Sequence, residues 1–251
     1  MVTNAGDTRA LAERIGAEVF DLEVVAAASL TPSMRRVVFG GDALAALRYE
    51  PGQDLMFGIT DLDGSIVRRR YTIRSFDPAA TTIAVDAVLH GDGPGARWFA
   101  GAQAGDHIEG IGPRGKVTVD GDATWHLFAG DESFLPAALA MAESLPDPAR
   151  ATLVISVDSA VDEVPGIEVP GLHYVHRDGA SAADAELLVD ALARVDLGDG
   201  EGRAYLAGEL RVVSAMRASL LGRGLDAARI APKPYWRAGV ANANHGEPGR
   251  D

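Results

Sequence analysis

In the first half of the chain, apolar residues recur at every second position over short runs, the spacing of strands with one buried face. The run "TTIAVDAVLH" shows this most clearly. Ile83, Val85, Ala87 and Leu89 fall on one face, and Thr82, Ala84, Asp86, Val88 and His90 on the other. "EVFDLEVVAAASL", "SMRRVVFG" and "DLMFGIT" are rich in Val, Phe and Ile and are set apart by Pro, Gly and Asp, the usual turn punctuation. "GDHIEGIGPRGKVTV" predicts two further strands around a Gly-Pro turn, and "GPGARWFAGA" a brief helical insert. So many short strands predict an antiparallel Greek-key β-barrel over residues 1–120.

Near residue 121 the pattern changes. "WHLFAG" is a continuous apolar run followed by the helical "SFLPAALAMAESL". "ATLVISV" and "GLHYVHR" read as strands and "SAADAELLVDALARV" as an amphipathic helix, after which "RAYLAG" and "ELRVVSAMRASLLGRG" repeat the strand-then-helix order. Alternation of this kind predicts an α/β domain with a parallel sheet over residues 121–251. The last ten residues, "NANHGEPGRD", read as a tail.

The 251 residues allow two domains of roughly 120 residues each, and 47% hydrophobic residues supply ample core. A formal net charge of −13 argues against nucleic-acid binding, which needs basic surface to neutralise phosphates. The chain has no Cys, which excludes disulfides, thiolate zinc sites and Cys-ligated iron–sulfur clusters. The N-terminal stretch lacks the apolar core of a signal peptide, and no window has the length of uninterrupted apolar residues that spans a bilayer. A cytoplasmic location is the expectation.

Against that acidity, "IVRRRYTIRSFD" gathers Arg68, Arg69, Arg70 and Arg74 with no acid before Asp77. In an extended strand Arg69, Tyr71 and Ile73 share one face, and Arg70, Thr72 and Arg74 the other. An Arg two residues from a Tyr can grip a phosphate while the ring covers a flat ring system. The other reading is a solvated edge strand whose arginines discourage edge pairing. In "HGDGPGARW", Gly91, Gly93 and Gly95 allow close backbone approach, and a helix opens at Gly95. Such an N-terminus suits a pyrophosphate, although an ordinary Gly/Pro turn has the same composition. "FAGDESFLP" forms a strand–turn–helix at the place where α/β sheets bind nucleotides, without being G-x-G-x-x-G. Ser133 and Glu132 there also make a credible helix cap. "LAGEL" ends a later strand, and "RIAPKPYWRAG" forms a second basic island with aromatics. No G-x-S-x-G, H-E-x-x-H or Walker A sequence occurs.

Taken in order, "RRYTIR", "LHGDGPGARW", "GPRG", "AGDESFLPA", "AYLAGELRVVSAMRASLLGRGLD" and "KPYWRAG" resemble the siderophore-interacting protein family, FAD-binding relatives of the ferredoxin reductases. The resemblance runs from about Val19 to Gly239. It implies an N-terminal FAD-binding barrel and a C-terminal NAD(P)H-binding domain. The family's Arg-x-Tyr-Ser/Thr flavin motif is matched by Arg69, Tyr71 and Thr72, implied to meet the FAD phosphates, the isoalloxazine face and its reactive edge. His90, Asp92, Gly93, Gly95 and Trp98 are implied to adjoin the same cofactor. Ala96 stands where relatives carry a Ser, so one hydroxyl to phosphate is missing. Gly130, Asp131, Glu132, Ser133, Gly208 and Glu209 are implied to line the nicotinamide site. Lys233 and Arg237 are implied to face an anionic substrate, with Tyr235 and Trp236 sealing the domain junction as the alternative. Arg177 and Arg211 are candidates for the 2′-phosphate that distinguishes NADPH from NADH.

The implied activity is NAD(P)H-dependent reduction of ferric siderophore through FAD, releasing Fe(II). The flavin carries the chemistry, so no catalytic side chain and no protein metal site are expected. Two alternatives remain: a general NAD(P)H:flavin or ferredoxin-type reductase, and a non-catalytic flavin-containing siderophore-binding protein. Transient association with a siderophore importer is a further expectation.

Overall fold

The structure, a computed structural model, describes residues 5–240; the tail "NANHGEPGRD" lies outside the described residues. The chain divides into two compact units, Met1–Thr118 and Val119–Asp251.

The first unit opens with a helix, α1 (Ala5–Ile15), followed by β1 (Glu18–Thr31), β2 (Met34–Gly40), β3 (Asp54–Thr60), β4 (Ile66–Thr72), β5 (Ser75–Asp77) and β6 (Thr82–Val88). A second helix, α2 (Pro94–Gly101), precedes β7 (His107–Arg114). The seven strands form one antiparallel sheet in the order β4-β3-β7-β1-β2-β6-β5. Past β4 the chain crosses back to β6, where the Arg74 N–H donates to the Ala84 carbonyl at 2.9 Å. The result is the Greek-key barrel.

The period-two pattern accounts for its core. Phe20, Leu22 and Val24 of β1, Val37 and Phe39 of β2, and Ile83, Val85 and Ala87 of β6 are all buried inside it, each larger side chain contributing roughly 1.5–3 kcal/mol. Two details depart from the sequence pattern. Asp86, on the outward face of β6, is buried at 6% exposure. Arg36, its direct partner on β2, covers it with a two-pronged ion pair at 2.6 and 2.7 Å. The expected pair of strands around Gly-Pro is one strand, β7, with Gly112 and Pro113 inside it. The chain turns away at Gly115, whose φ of 112° is left-handed, and residues 116–119 pair with nothing regular. Helix α1 carries no signal in the alternating pattern. Its Ala12 and Leu11 pack on Met56 and Ile111, outside the barrel core.

The second unit contains β8 (His126–Asp131), α3 (Leu135–Glu143), β9 (Ala151–Val157), β10 (Leu172–His176), α4 (Glu186–Ala193), β11 (Arg203–Glu209), α5 (Leu210–Gly222) and β12 (Ile230–Trp236). The sheet is parallel throughout, in the order β10-β9-β8-β11-β12. Leu188 and Leu192 of α4, with Val212, Val213, Met216 and Leu220 of α5, pack on Leu127, Ala129, Val154 and Leu206. From β8 the order runs outward in opposite directions. The switch point, where open α/β sheets bind ligands at the carboxyl ends of their strands, therefore lies between β8 and β11.

Candidate cofactor sites

The arginine stretch is a true strand, paired antiparallel with β3 so that Asp54 faces Thr72 and Phe57 faces Arg69. Its arginines do different things. Arg70 grips buried Asp54 with both prongs, at 2.7 and 2.8 Å. Arg74 lies 3.9 Å from Asp86, the carboxylate already held by Arg36. Arg69 has no carboxylate partner among the described residues; its Nη1 donates to the Arg68 carbonyl at 2.9 Å.

Arg69 and Tyr71 meet the start of α2. A Cβ added at Gly95 would lie 2.3 Å from the Tyr71 hydroxyl and 3.3 Å from the Arg69 Cγ, so only glycine allows this approach. Helix α2 begins with Gly93 as N-cap and Pro94 in its first turn, and no side chain caps it. Its first N–H groups are therefore free of intrahelical acceptors. Gly91 and Gly93 face open space, and His90 and Asp92 are exposed beside them. A guanidinium without a carboxylate partner among the described residues, an uncapped helix start and an open glycine turn form a donor set that fits the pyrophosphate of a flavin dinucleotide. Tyr71 packs against Phe99, with ring centroids 4.2 Å apart, and against Phe57. Burial pushes its phenol up to about 12, against the nearby Arg69 charge. Thr72 is buried next to it. Trp98 stacks on Phe39 at 6.0 Å and meets Phe99 edge-on, so its indole packs against the core.

In the second unit the six expected residues do converge, at the switch point. A Cβ on Gly130 would fall 2.1 Å from the Ala207 carbonyl oxygen, and one on Gly208 (φ 123°) 2.4 Å from Asp131 Oδ2. These glycines let β8 and β11 approach closely around a carboxylate. That carboxylate, Asp131, is 2% exposed. It accepts from the Ser133 N–H at 2.9 Å, the Ser133 hydroxyl at 2.5 Å, the Glu209 N–H at 3.0 Å and the Trp236 Nε1–H at 2.8 Å. Burial, then the neighbouring Glu132 charge, pushes its carboxyl upward, while the Ser133 and Trp236 donors oppose that shift. Glu209, 1% exposed, caps α5 by accepting from the Arg211 and Val212 N–H groups, and its other oxygen accepts from the Ala238 N–H at 3.2 Å. Glu132 holds Arg177 with both oxygens, at 2.7 and 2.9 Å, and Arg177 also donates to Ser156 at 3.2 Å. Burial by itself would lower that guanidinium; the Glu132 pairing outweighs it and raises it.

Lys233 lies 5.5 Å from the Tyr235 ring centroid, Tyr235 meets Phe134 edge-on, and Arg237 is exposed. Arg177, a sequence candidate for the 2′-phosphate, does reach this edge, just past the end of β10. Ser156 and Trp236 escaped assignment to it on sequence, although a signal was present: in a parallel sheet the strand ends reach the same edge, and these two stand within a residue of the ends of β9 and β12. Among the described residues no group of three His, Cys, Asp or Glu could hold a metal ion, and no helix is long and apolar enough to cross a membrane.

Two family models match the chain: a siderophore-interacting FAD-binding domain over residues 56–117 and a siderophore-interacting protein domain over residues 123–239. A siderophore utilization protein from T. fusca is 32% identical, with a TM-score of 0.81 over 91% of this chain and 96% of that one. The siderophore-interacting protein of Aeromonas hydrophila is 26% identical, with a TM-score of 0.78 over 91% and 96%. The ferric vibriobactin reductase of Vibrio cholerae is 32% identical over 69% of this chain and 65% of its own length. The barrel and the parallel-sheet unit are those of ferredoxin reductase-like FAD- and nicotinamide-binding proteins, and within that fold the chain belongs to the siderophore-interacting protein family.

Proposed function

We propose that this protein is a flavoenzyme that takes hydride from NADH or NADPH and reduces ferric siderophore, releasing iron as Fe(II). The observation that carries the reading is Arg69: a half-buried guanidinium without a carboxylate partner among the described residues, beside an uncapped helix start, in a chain of net charge −13. A related protein is named a ferric vibriobactin reductase, which supports the choice of substrate.

FAD, when bound, supplies the conversion of a two-electron hydride donor into a one-electron donor. The electrons balance at two ferric complexes reduced to ferrous ones per NAD(P)H, with NAD(P)⁺ and a proton as the other products. Arg69 and the first N–H groups of α2 would hold the FAD pyrophosphate, with Gly95 allowing the approach. Tyr71 and Thr72 would orient the flavin ring. Gly130, Gly208 and the polar groups they bring together form the edge that receives the nicotinamide dinucleotide. Lys233 and Arg237 give positive charge to attract an anionic ferric complex. Hard-oxygen chelators hold Fe(II) far less tightly than Fe(III), so reduction by itself loosens the complex and no protein ligand to iron is required.

The test is anaerobic turnover of a ferric siderophore with NADH and with NADPH, trapping Fe(II) with a coloured ferrous chelator. Two Fe(II) per nicotinamide oxidised is the expected stoichiometry. Binding of the ferric complex without reduction would replace this reading with that of a flavin-containing carrier. Nicotinamide oxidation that reduces free flavin or ferredoxin in preference to the siderophore would replace it with a general reductase.

A further inference from the structure

The choice between NADH and NADPH rests on one position of the dinucleotide: the adenosine 2′ group is a neutral hydroxyl in the first and a doubly charged phosphate in the second. Enzymes with this kind of sheet accept the hydroxyl with a carboxylate and the phosphate with an arginine. Each half of the sheet beside the switch point takes one mononucleotide. On the β8–β9–β10 half, Arg177 is the one guanidinium at the carboxyl edge among the described residues.

The two terminal nitrogens of that guanidinium are already engaged, and its Nε is buried without a partner. Glu132 holds it with both oxygens, Ser156 takes a third contact, and the two side chains are only 8% and 14% exposed. A phosphate could claim Arg177 only by displacing Glu132, and would leave that carboxylate uncompensated beside buried Asp131. Breaking a pair of this kind is costly because the remaining charge stays out of water. Around it the edge is acidic: Asp131 is buried, and Asp158, exposed at the end of β9, accepts from the Gly179 N–H at 3.2 Å. A ribose hydroxyl demands no exchange. It can donate to a carboxylate lone pair and leave the Arg177 pair intact.

We propose that Glu132 sets the choice of electron donor, turning Arg177 into a strap between the β8 turn and the ends of β9 and β10 and so favouring NADH over NADPH. This specificity role rests on the reading of the edge as a nicotinamide dinucleotide site.

The experiment is calorimetric binding of adenosine 5′-monophosphate, adenosine 2′,5′-bisphosphate, NADH and NADPH to the holoprotein and to Glu132→Gln. The wild type is expected to bind the ligands without a 2′-phosphate about tenfold or more tightly, a difference of roughly 1.4 kcal/mol. Glu132→Gln frees Arg177 and should erase or reverse that preference, and Arg177→Met in the same background should abolish the gain. Equal or tighter binding of the 2′-phosphorylated ligands by the wild type overturns the proposal, and so does an unchanged ratio in Glu132→Gln. Both outcomes leave the nicotinamide site standing. Failure of NADH and NADPH alike to bind the wild type overturns that site and the specificity role with it. The wild-type ratio does not depend on any variant folding.

Discussion

The arginine strand of the barrel and the carboxyl edge of the parallel sheet are both crowded with charge, yet they treat it in opposite ways. Along β4, Arg70 is matched to Asp54, while Arg69 is left without a carboxylate, next to a helix start that nothing caps. At the sheet edge the buried charges have partners: Asp131 has four donors, Glu209 caps α5, and Glu132 and Arg177 hold each other. On the reading proposed above, the first region receives an anion. The second is internally balanced, and a ligand there must fit around the network. A count of charges in either motif would not distinguish them; only the partner of each group does.

The glycines offer the sharpest way to test this contrast. Gly130→Ala drives a Cβ to 2.1 Å from the Ala207 carbonyl oxygen between two central strands, and should cost about 3 kcal/mol. Gly93→Ala meets open space and should stay within about 0.5 kcal/mol, as read from denaturant midpoints. Equal effects would contradict the view that the sheet edge is closely packed and the α2 turn open.

The two neighbouring arginines should separate stability from binding. Arg70→Ala strips buried Asp54 of its two-pronged partner; with Arg70 itself 30% exposed, a loss of about 1–2 kcal/mol is expected after solvent screening. Arg69→Ala should melt like the wild type while losing retained flavin on gel filtration. Smaller still is Trp236→Phe, which removes one of four donors to Asp131 and should cost about 1 kcal/mol, with flavin content unchanged.

A pH effect between pH 7.5 and 5 is expected in the second unit. His126 is 2% exposed; burial, then the Arg150 charge, lowers its pKa from 6.5. The unfolded chain therefore binds the proton more readily, and this contribution is present above pH 6.5 and falls away as the pH drops below it. Melting curves from pH 7.5 to 5 should show that decline, flattened in His126→Phe.

The period-two runs and the strand–helix alternation made the barrel and the parallel sheet legible because each reports which face is buried. Asp86 was not legible as a buried residue, since its burial depends on Arg36 from another strand. Helix α1 was missed because it lies outside the barrel core. The convergence of Gly130, Asp131, Glu132, Ser133, Gly208 and Glu209 follows from strand order, and the motifs named them. The pairing of Glu132 with Arg177, 45 residues apart, and the capture of Trp236 by Asp131, 105 apart, depend on tertiary placement that no local pattern encodes.

The central claim, that the arginine strand holds FAD through Arg69, is tested most directly by fluorescence titration of FAD into apoprotein, comparing the wild type with Arg69→Ala and Arg70→Lys. The account predicts saturable quenching for the wild type and Arg70→Lys and at least a tenfold weaker constant for Arg69→Ala at unchanged melting temperature, a loss of about 1.4 kcal/mol or more. Equal FAD affinity in Arg69→Ala and the wild type, or an apoprotein that takes up no FAD at all, would contradict it.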